Sequence, residues 1–148
     1  MAEAVIKNGV LFGADELVSE WVSRRLVGGK SEAPCVALGV VNDAEDRLLG
    51  GCIFFHQEAR DIQFAVAMEP GCALKLRALA TCYAYAFNQL GLERITAMIE
   101  IKNTRSVKLA EGFGFVREGV KRRSAPDGGH VGVFGLLRKD FKLARYLP

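Results

Sequence analysis

The sequence predicts a mixed α/β fold, one sheet flanked by helices, and three observations carry that prediction. Residues 62–90 read as a strand, a tight turn of small residues and one long helix, and residues 95–112 repeat the strand–helix order. A strand–helix–strand unit of this length is a crossover, which makes its two strands parallel neighbours. Two apolar β-rich runs, 33–42 and 48–57, precede the unit as an antiparallel hairpin. Two further strand-like runs, 115–123 and 130–137, follow it. One layered α/β structure accounts for the whole chain without repeats or low-complexity linkers, and 148 residues is about one domain by size.

Taken in order, residues 5–12 predict a first strand with Asn8-Gly9 as a turn inside it. Asp15 is a candidate N-cap, and Leu17, Val18, Trp21, Val22 and Leu26 form an amphipathic stripe ended by Gly28-Gly29. After the hairpin and a polar turn at 58–61, Ile62, Phe64, Val66 and Met68 alternate with Gln63, Ala65 and Ala67, the period of a strand. Glu69-Pro70-Gly71 ends it, since Pro70 has no ladder donor and Gly71 tolerates positive φ. From Cys72 the apolar residues Leu76, Leu79, Tyr83, Phe87 and Leu90 fall at helical spacing. Arg77, Thr81 and Asn88 occupy the opposite arc, and a ridge of Ala78, Cys82 and Ala86 lets the helix lie close on a sheet. Gly91 stops it. Residues 95–101 alternate as a strand, and Asn103 caps a short helix over 104–112. Pro126-Asp127-Gly128-Gly129 turns the chain between the last two strands, and 138–146 is a basic tail with a helical turn.

Composition narrows the function classes. Half the residues are apolar, enough for a core, yet no run approaches the ~20 apolar residues of a membrane span. No charged start followed by an apolar segment marks a signal peptide. Cys35, Cys52, Cys72 and Cys82 sit in apolar segments without CxxC pairing, and only His56 and His130 are present, so the cysteines read as reduced core residues of a cytoplasmic protein without a metal site. The net charge of +3 hides an asymmetry: residues 1–74 carry 6 Lys/Arg and 11 Asp/Glu, residues 75–148 carry 14 and 6. The second half therefore suits an anion. Its scattered basic residues, with no aromatic stacking surface, favour a small polyanion over a nucleic acid. A strand feeding a helix through small residues presents the first helical N–H groups at the strand end, where a phosphate fits; an ordinary packing unit has the same pattern.

Specific words in the second half carry a family resemblance. Residues 85–97, Tyr-Ala-Phe-Asn-Gln-Leu-Gly-Leu-Glu-Arg-Ile-Thr-Ala, are followed by Asn103-x-x-Ser106, Leu109-Ala110-Glu111 and Gly114-Phe115. Then come residues 115–120, Phe-Val-Arg-Glu-Gly-Val, with Arg122, and Gly135-Leu136-Leu137-Arg138-Lys139-Asp140. Together with the order of elements, these words resemble the GCN5-related N-acetyltransferase (GNAT) family over residues 47–141. Within it they resemble the ribosomal-protein-alanine acetyltransferase type. The resemblance implies a mixed, mostly antiparallel sheet with a central splayed parallel pair, and acetyl-CoA as cosubstrate in the gap. It implies backbone contacts from Ala65, Val66, Ala67 and Met68, and a pyrophosphate held by the N–H groups of Cys72, Ala73, Leu74, Lys75 and Leu76 beside Gly71. Asn103 would bond pantetheine or simply cap its helix, and Ser106 would donate to the leaving thiolate or bond locally. The acceptor would be a primary amine, of a small molecule or a peptide N-terminus, attacking directly.

Two chemistry words depart from the pattern. The family's Gln/Arg-x-x-Gly-x-Gly/Ala loop falls on Pro70, Ala73 and Lys75, and its usual short-helix Tyr falls on Ala110. Lys75 and Arg77 stand near enough in sequence to reach phosphates, or are solvated surface charges. Glu100, near the carboxyl end of its strand, ranks first as general base and Glu118 second; His56, Glu58 and Asp61 around the adjoining turn read as surface residues, and a route through water stays open. Cys72 reads as a small loop residue, and Lys121-Arg122-Arg123 as a strand edge or a wall for an acidic acceptor. The departures keep a rival in view, a GNAT-fold module that binds CoA or a partner without catalysis. A basic nucleic-acid-binding domain is the remaining rival. Homodimerisation is left open by the sequence.

Overall fold

The computed structural model describes residues 3–26, 36–42, 44, 47–72 and 75–147. Eight strands form one sheet in the order β1-β2-β3-β4-β5-β6-β8-β7. Every neighbouring pair is antiparallel except β5 (Asp61–Met68) and β6 (Arg94–Glu100), which run parallel at the centre. The mixed, mostly antiparallel sheet with a parallel central pair is thus present.

The expected first strand is a hairpin. β1 (Val5–Lys7) and β2 (Val10–Phe12) pair across Asn8 and Gly9, whose φ values of 55° and 78° are both positive. A two-residue turn of that hand matches the twist of the strands and folds the chain back at once. β3 (Val36–Asn42) pairs with β2 and with β4 (Arg47–Phe55). The expected start of β3 at 33–35, Cys35 and the Gly28-Gly29 stop all lie outside the described residues.

α1 (Asp15–Ser23) covers β3 and β4 with Val18 and Val22, both fully buried against Ala37 and Ile53. Gly51 permits the approach, because a Cβ there would lie 2.8 Å from Val18 and 2.9 Å from Val22. Two expectations shift. Asp15 is the first helical residue, after Ala14, and its carboxylate accepts the Ala37 N–H at 3.3 Å, so it ties the helix to β3. Leu17 is 57 % exposed, while Val18, Trp21 and Val22 make the contact with the sheet.

The other face carries α2 (Leu76–Ala84), a π turn continuing it (Tyr85–Gln89), and α3 (Thr104–Phe113). The ridge Ala78, Cys82, Ala86 is buried as expected, and Phe54, Ile62, Ile95 and Phe134 of the sheet make the floor of the core that also buries Phe87. The long helix starts at Leu76, not Cys72: Cys72 N–H bonds Glu69 O at 3.0 Å and Lys75 N–H bonds Cys72 O at 3.1 Å, so this stretch turns before it winds. β7 (Val116–Lys121) reaches the sheet only through β8 (Val131–Leu137), with a bulge between Arg117 and Gly119. Two 3-10 turns, Arg138–Asp140 and Lys142–Tyr146, place Leu143 in the core. Cys52, Cys72 and Cys82 are free, and burial pushes the Cys52 thiol well above its usual range.

Gly114 ends α3 at φ 113°, and a Cβ there would sit 2.5 Å from the Asp140 carbonyl oxygen. Gly114→Ala therefore combines backbone strain with a clash, and we expect it to cost more than about 1 kcal/mol. Urea unfolding should show a lower midpoint at unchanged slope.

Candidate functional site

β5 and β6 begin paired and then part. Asp61, Ile62, Gln63 and Phe64 stand opposite Arg94, Ile95, Thr96 and Ala97, and pairing stops there. β5 nevertheless stays on β4 as far as Met68, and β6 stays on β8 as far as Glu100. Each strand follows its outer neighbour, and the sheet splits between them. Glu69 N–H donates to Leu49 O at 2.7 Å, in register with the β4–β5 ladder. Backbone groups of a strand alternate in direction, so Ala65 and Ala67 bond β4 while the N–H and C=O of Val66 and Met68 face the gap.

The closed end of the fork is clamped. Arg94 lies 2.8 Å from Glu118 and 3.3 Å from Asp61, and donates to Thr96 Oγ1 at 2.9 Å; Thr96 Oγ1 in turn donates to Asp61 at 2.8 Å. The hydrogen bond that Arg94 donates to Glu118, ahead of the charge of Asp61, raises the Arg94 guanidinium above even its usual basic range. Glu118 is the residue of the β7 bulge, and its carboxylate crosses β8 above Gly135, where a Cβ would lie 2.6 Å from it. Thr96, only 5 % exposed, has its hydroxyl satisfied by this network. Glu118 and Asp61 thus serve the clamp, away from the gap. The β4–β5 turn with His56 and Glu58 lies at the same closed end.

Beyond the fork a cavity of about 390 Å³ runs between the strands and under α2 and α3. Ala65, Val66 and Met68 line it, as do Glu100, Asn103 and Ser106. Ala67 points the other way, against the α1 cluster. Asn103 caps α3, its Oδ1 accepting Ser106 N–H at 3.2 Å. Gly71 takes φ 82° in the turn after β5, and Lys75 stands exposed at the start of α2. The N–H groups of Cys72 and Lys75, expected as anion donors, are bonded within the turn; Ala73 and Leu74 lie outside the described residues. The amides of Leu76, Arg77 and Ala78 precede the helix's Leu79-to-Lys75 bond, where a helix start presents donors.

Three features escaped the sequence reading. Tyr83, buried on α2, lines the inner end of the cavity. Ser124, Ala125 and Pro126 of the β7–β8 loop form part of its rim. Asp127 of that loop pairs with Lys102 after β6, and this partner holds the Asp127 carboxyl below the usual carboxylate range. The Pro-Asp-Gly-Gly words announced a turn; only the β6-β8-β7 order brings it to the gap. Among the described residues no three His, Cys, Asp or Glu side chains gather as metal ligands, and no described helix is long and apolar enough to cross a membrane.

The chain matches a family model, Acetyltransferase (GNAT) domain, over residues 12–116. No curated protein matches its sequence. Among solved structures, it is similar to a GNAT-family acetyltransferase from Bacillus anthracis, at 19 % identity over 93 % of this chain and 99 % of that one, with TM-score 0.68. It is similar to the ribosomal-protein-S5-alanine acetyltransferase from Vibrio fischeri, at 13 % identity over 95 % and 100 %, TM-score 0.68. A spermidine N-acetyltransferase SpeG chimera from Vibrio cholerae and hSSAT matches at 22 % identity over 75 % and 68 %, TM-score 0.62.

Removing the clamp's cation should weaken the fold. Arg94→Met leaves the Asp61 and Glu118 carboxylates without their partner, and we expect a loss of about 1.5–3 kcal/mol, the range for hydrogen bonds to charged groups. Denaturant unfolding measures it, and Glu118→Gln, which keeps a hydrogen-bond acceptor, should lose less.

Proposed function

Because the chain belongs to the GNAT acetyltransferase family, we propose that it transfers an acetyl group from acetyl-CoA to a primary amine by direct attack in the gap between β5 and β6. The observation that carries the reading is the parting of the parallel pair after Phe64 and Ala97, which leaves strand amides turned into a cavity. Strand N–H groups are obligatory hydrogen-bonding groups and these have lost their ladder partner, so this arrangement favours a ligand with carbonyl oxygens.

The chemistry needs three things: a neutral amine, a polarised thioester carbonyl and a stabilised thiolate. In this reading the Val66 N–H polarises the thioester carbonyl, and Met68 bonds the pantetheine arm. The pyrophosphate lies at the start of α2, near the amides of Leu76 to Ala78 and the ammonium of Lys75. Asn103 keeps its Oδ1 on Ser106 N–H, and its Nδ2 is free to donate to pantetheine. Ser106 donates a hydrogen bond along the channel. Glu100 lines the cavity and receives the acceptor's ammonium proton directly or through water. The acceptor enters at the rim formed by the β7–β8 loop. Its class is a small amine or an exposed peptide N-terminus; the similar structures are named for spermidine and for an alanine of ribosomal protein S5.

The altered turn, with Cys72 and Lys75 amides already bonded, supports the rival reading of a module that binds without turnover. Two measurements separate them. Calorimetry with acetyl-CoA should show saturable binding, and thiol release with a panel of amines and N-terminal peptides should show turnover; binding without release favours the rival. Val66→Pro deletes the gap-facing N–H without removing a β4 ladder bond. It should lower kcat roughly 100-fold or more, the effect of losing one oxyanion donor, with a small change in melting temperature.

A further inference from the structure

Among the described residues that line the cavity, Glu100 alone carries a charge. No hydrogen bond or ion pair among the described residues uses its carboxylate. Strand alternation sorts the walls around it. Ile95, Ala97 and Ile99 of β6 pack into the core under α2 and α3, so Met98 and Glu100 project from the opposite face. Val131 stands opposite Glu100 across the β6–β8 ladder and shares that face. On β5, Ala67 packs in the α1 cluster, so Ala65, two residues earlier, looks the same way; Leu26, just after α1, packs on that cluster too. The α1-side half of the cavity is therefore walled by Leu26, Ala65, Met98 and Val131, with Glu100 as its charge.

The charges bordering this half are already matched. Arg25 lies 3.3 Å from Glu69 and 3.5 Å over the Trp21 ring. Lys102, two residues beyond Glu100, pairs with Asp127. That bond first, and the charge of Glu100 last, hold the exposed Lys102 ammonium above its usual range, so a cation borders the carboxylate. One carboxylate satisfies one ammonium. A second ammonium on the same acceptor would meet alkyl and thioether surface, or Lys102. An unpaired charge in apolar surroundings is heavily penalised, and so are like charges side by side. A carboxylate on the acceptor would face Glu100 itself.

We propose that the α1-side half of the cavity selects a primary amine borne on an apolar body with no second charge close to it, the ammonium on Glu100 and the apolar part against Leu26, Met98 and Val131; this rests on the transferase reading above. Met98 is the selecting side chain. It shares a strand face with Glu100 at a spacing of two residues, so the two Cβ atoms stand about 7 Å apart. The second nitrogen of a short diamine held on Glu100 falls beside it.

Butylamine and 1,3-diaminopropane match in size and differ by a terminal methyl against a terminal ammonium. Measured by thiol release, kcat/KM should favour butylamine roughly 10- to 100-fold, the scale on which an apolar pocket separates acceptors differing by one group. Peptides beginning with valine or lysine carry the same contrast for an N-terminal acceptor, and the arm with the faster turnover decides. Met98→Glu places a second carboxylate on the wall and should reverse the preference. Met98 is 40 % exposed, so the fold should carry the change, and the native contrast stands without it. Equal kcat/KM for the two native acceptors, a native preference for the doubly charged one, or an unchanged preference in Met98→Glu overturns the proposal and leaves the transferase reading standing. A native protein that releases no thiol with any amine or peptide overturns both.

Discussion

A sheet that parts between two strands turns backbone donors and acceptors away from their ladder partners, and the described elements hold that parting open. Two constraints do so. At one end, Arg94 draws Asp61 of β5 and Glu118 of β7 to a single guanidinium, with Thr96 between them, so the parallel pair is fixed where it is closed. Beyond it, β4 keeps β5 from Gln63 to Met68 and β8 keeps β6 from Arg94 to Glu100. Strands held on both outer sides cannot swing together to heal the gap. A neutral clamp would hold less well, because hydrogen bonds to charged groups are roughly twice as strong as neutral ones.

The same geometry divides the labour between the two faces of the sheet. Ala67 packs in the α1 cluster, while Val66 and Met68 line the cavity on the gap side. Strand alternation thus sends neighbouring residues to opposite faces of the sheet. The helices on the cavity side bring different groups. α2 contributes Leu79 and Tyr83 to the cavity wall. α3 supplies Asn103 and Ser106 at its first turn and a small residue, Ala110, where space is needed.

Local rules made much of this legible. Alternation identified β5, Asn103 announced its helix, and the Ala78-Cys82-Ala86 ridge foretold close contact with the sheet, because each depends on neighbours in sequence. The long-range facts were hidden. Glu118 looked like a candidate base because its bulge and its reach over Gly135 to Arg94 depend on β8 inserting between β6 and β7. Tyr83 read as core because helical periodicity reports which face is buried and not whether a cavity opens there. Asp15 read as a cap because a carboxylate before an amphipathic run has that meaning locally; its actual partner, the Ala37 N–H, is 22 residues away.

Backbone hydrogen exchange on a protein labelled at every amide tests the account most directly. Ala65 and Ala67, bonded to β4, should exchange slowly in the free protein, while Val66 and Met68 between them exchange fast. Acetyl-CoA should slow the Val66 amide selectively. Four equally protected amides in the free protein, unmoved by acetyl-CoA, would mean that the strands do not part in solution, and the account would be contradicted at its root.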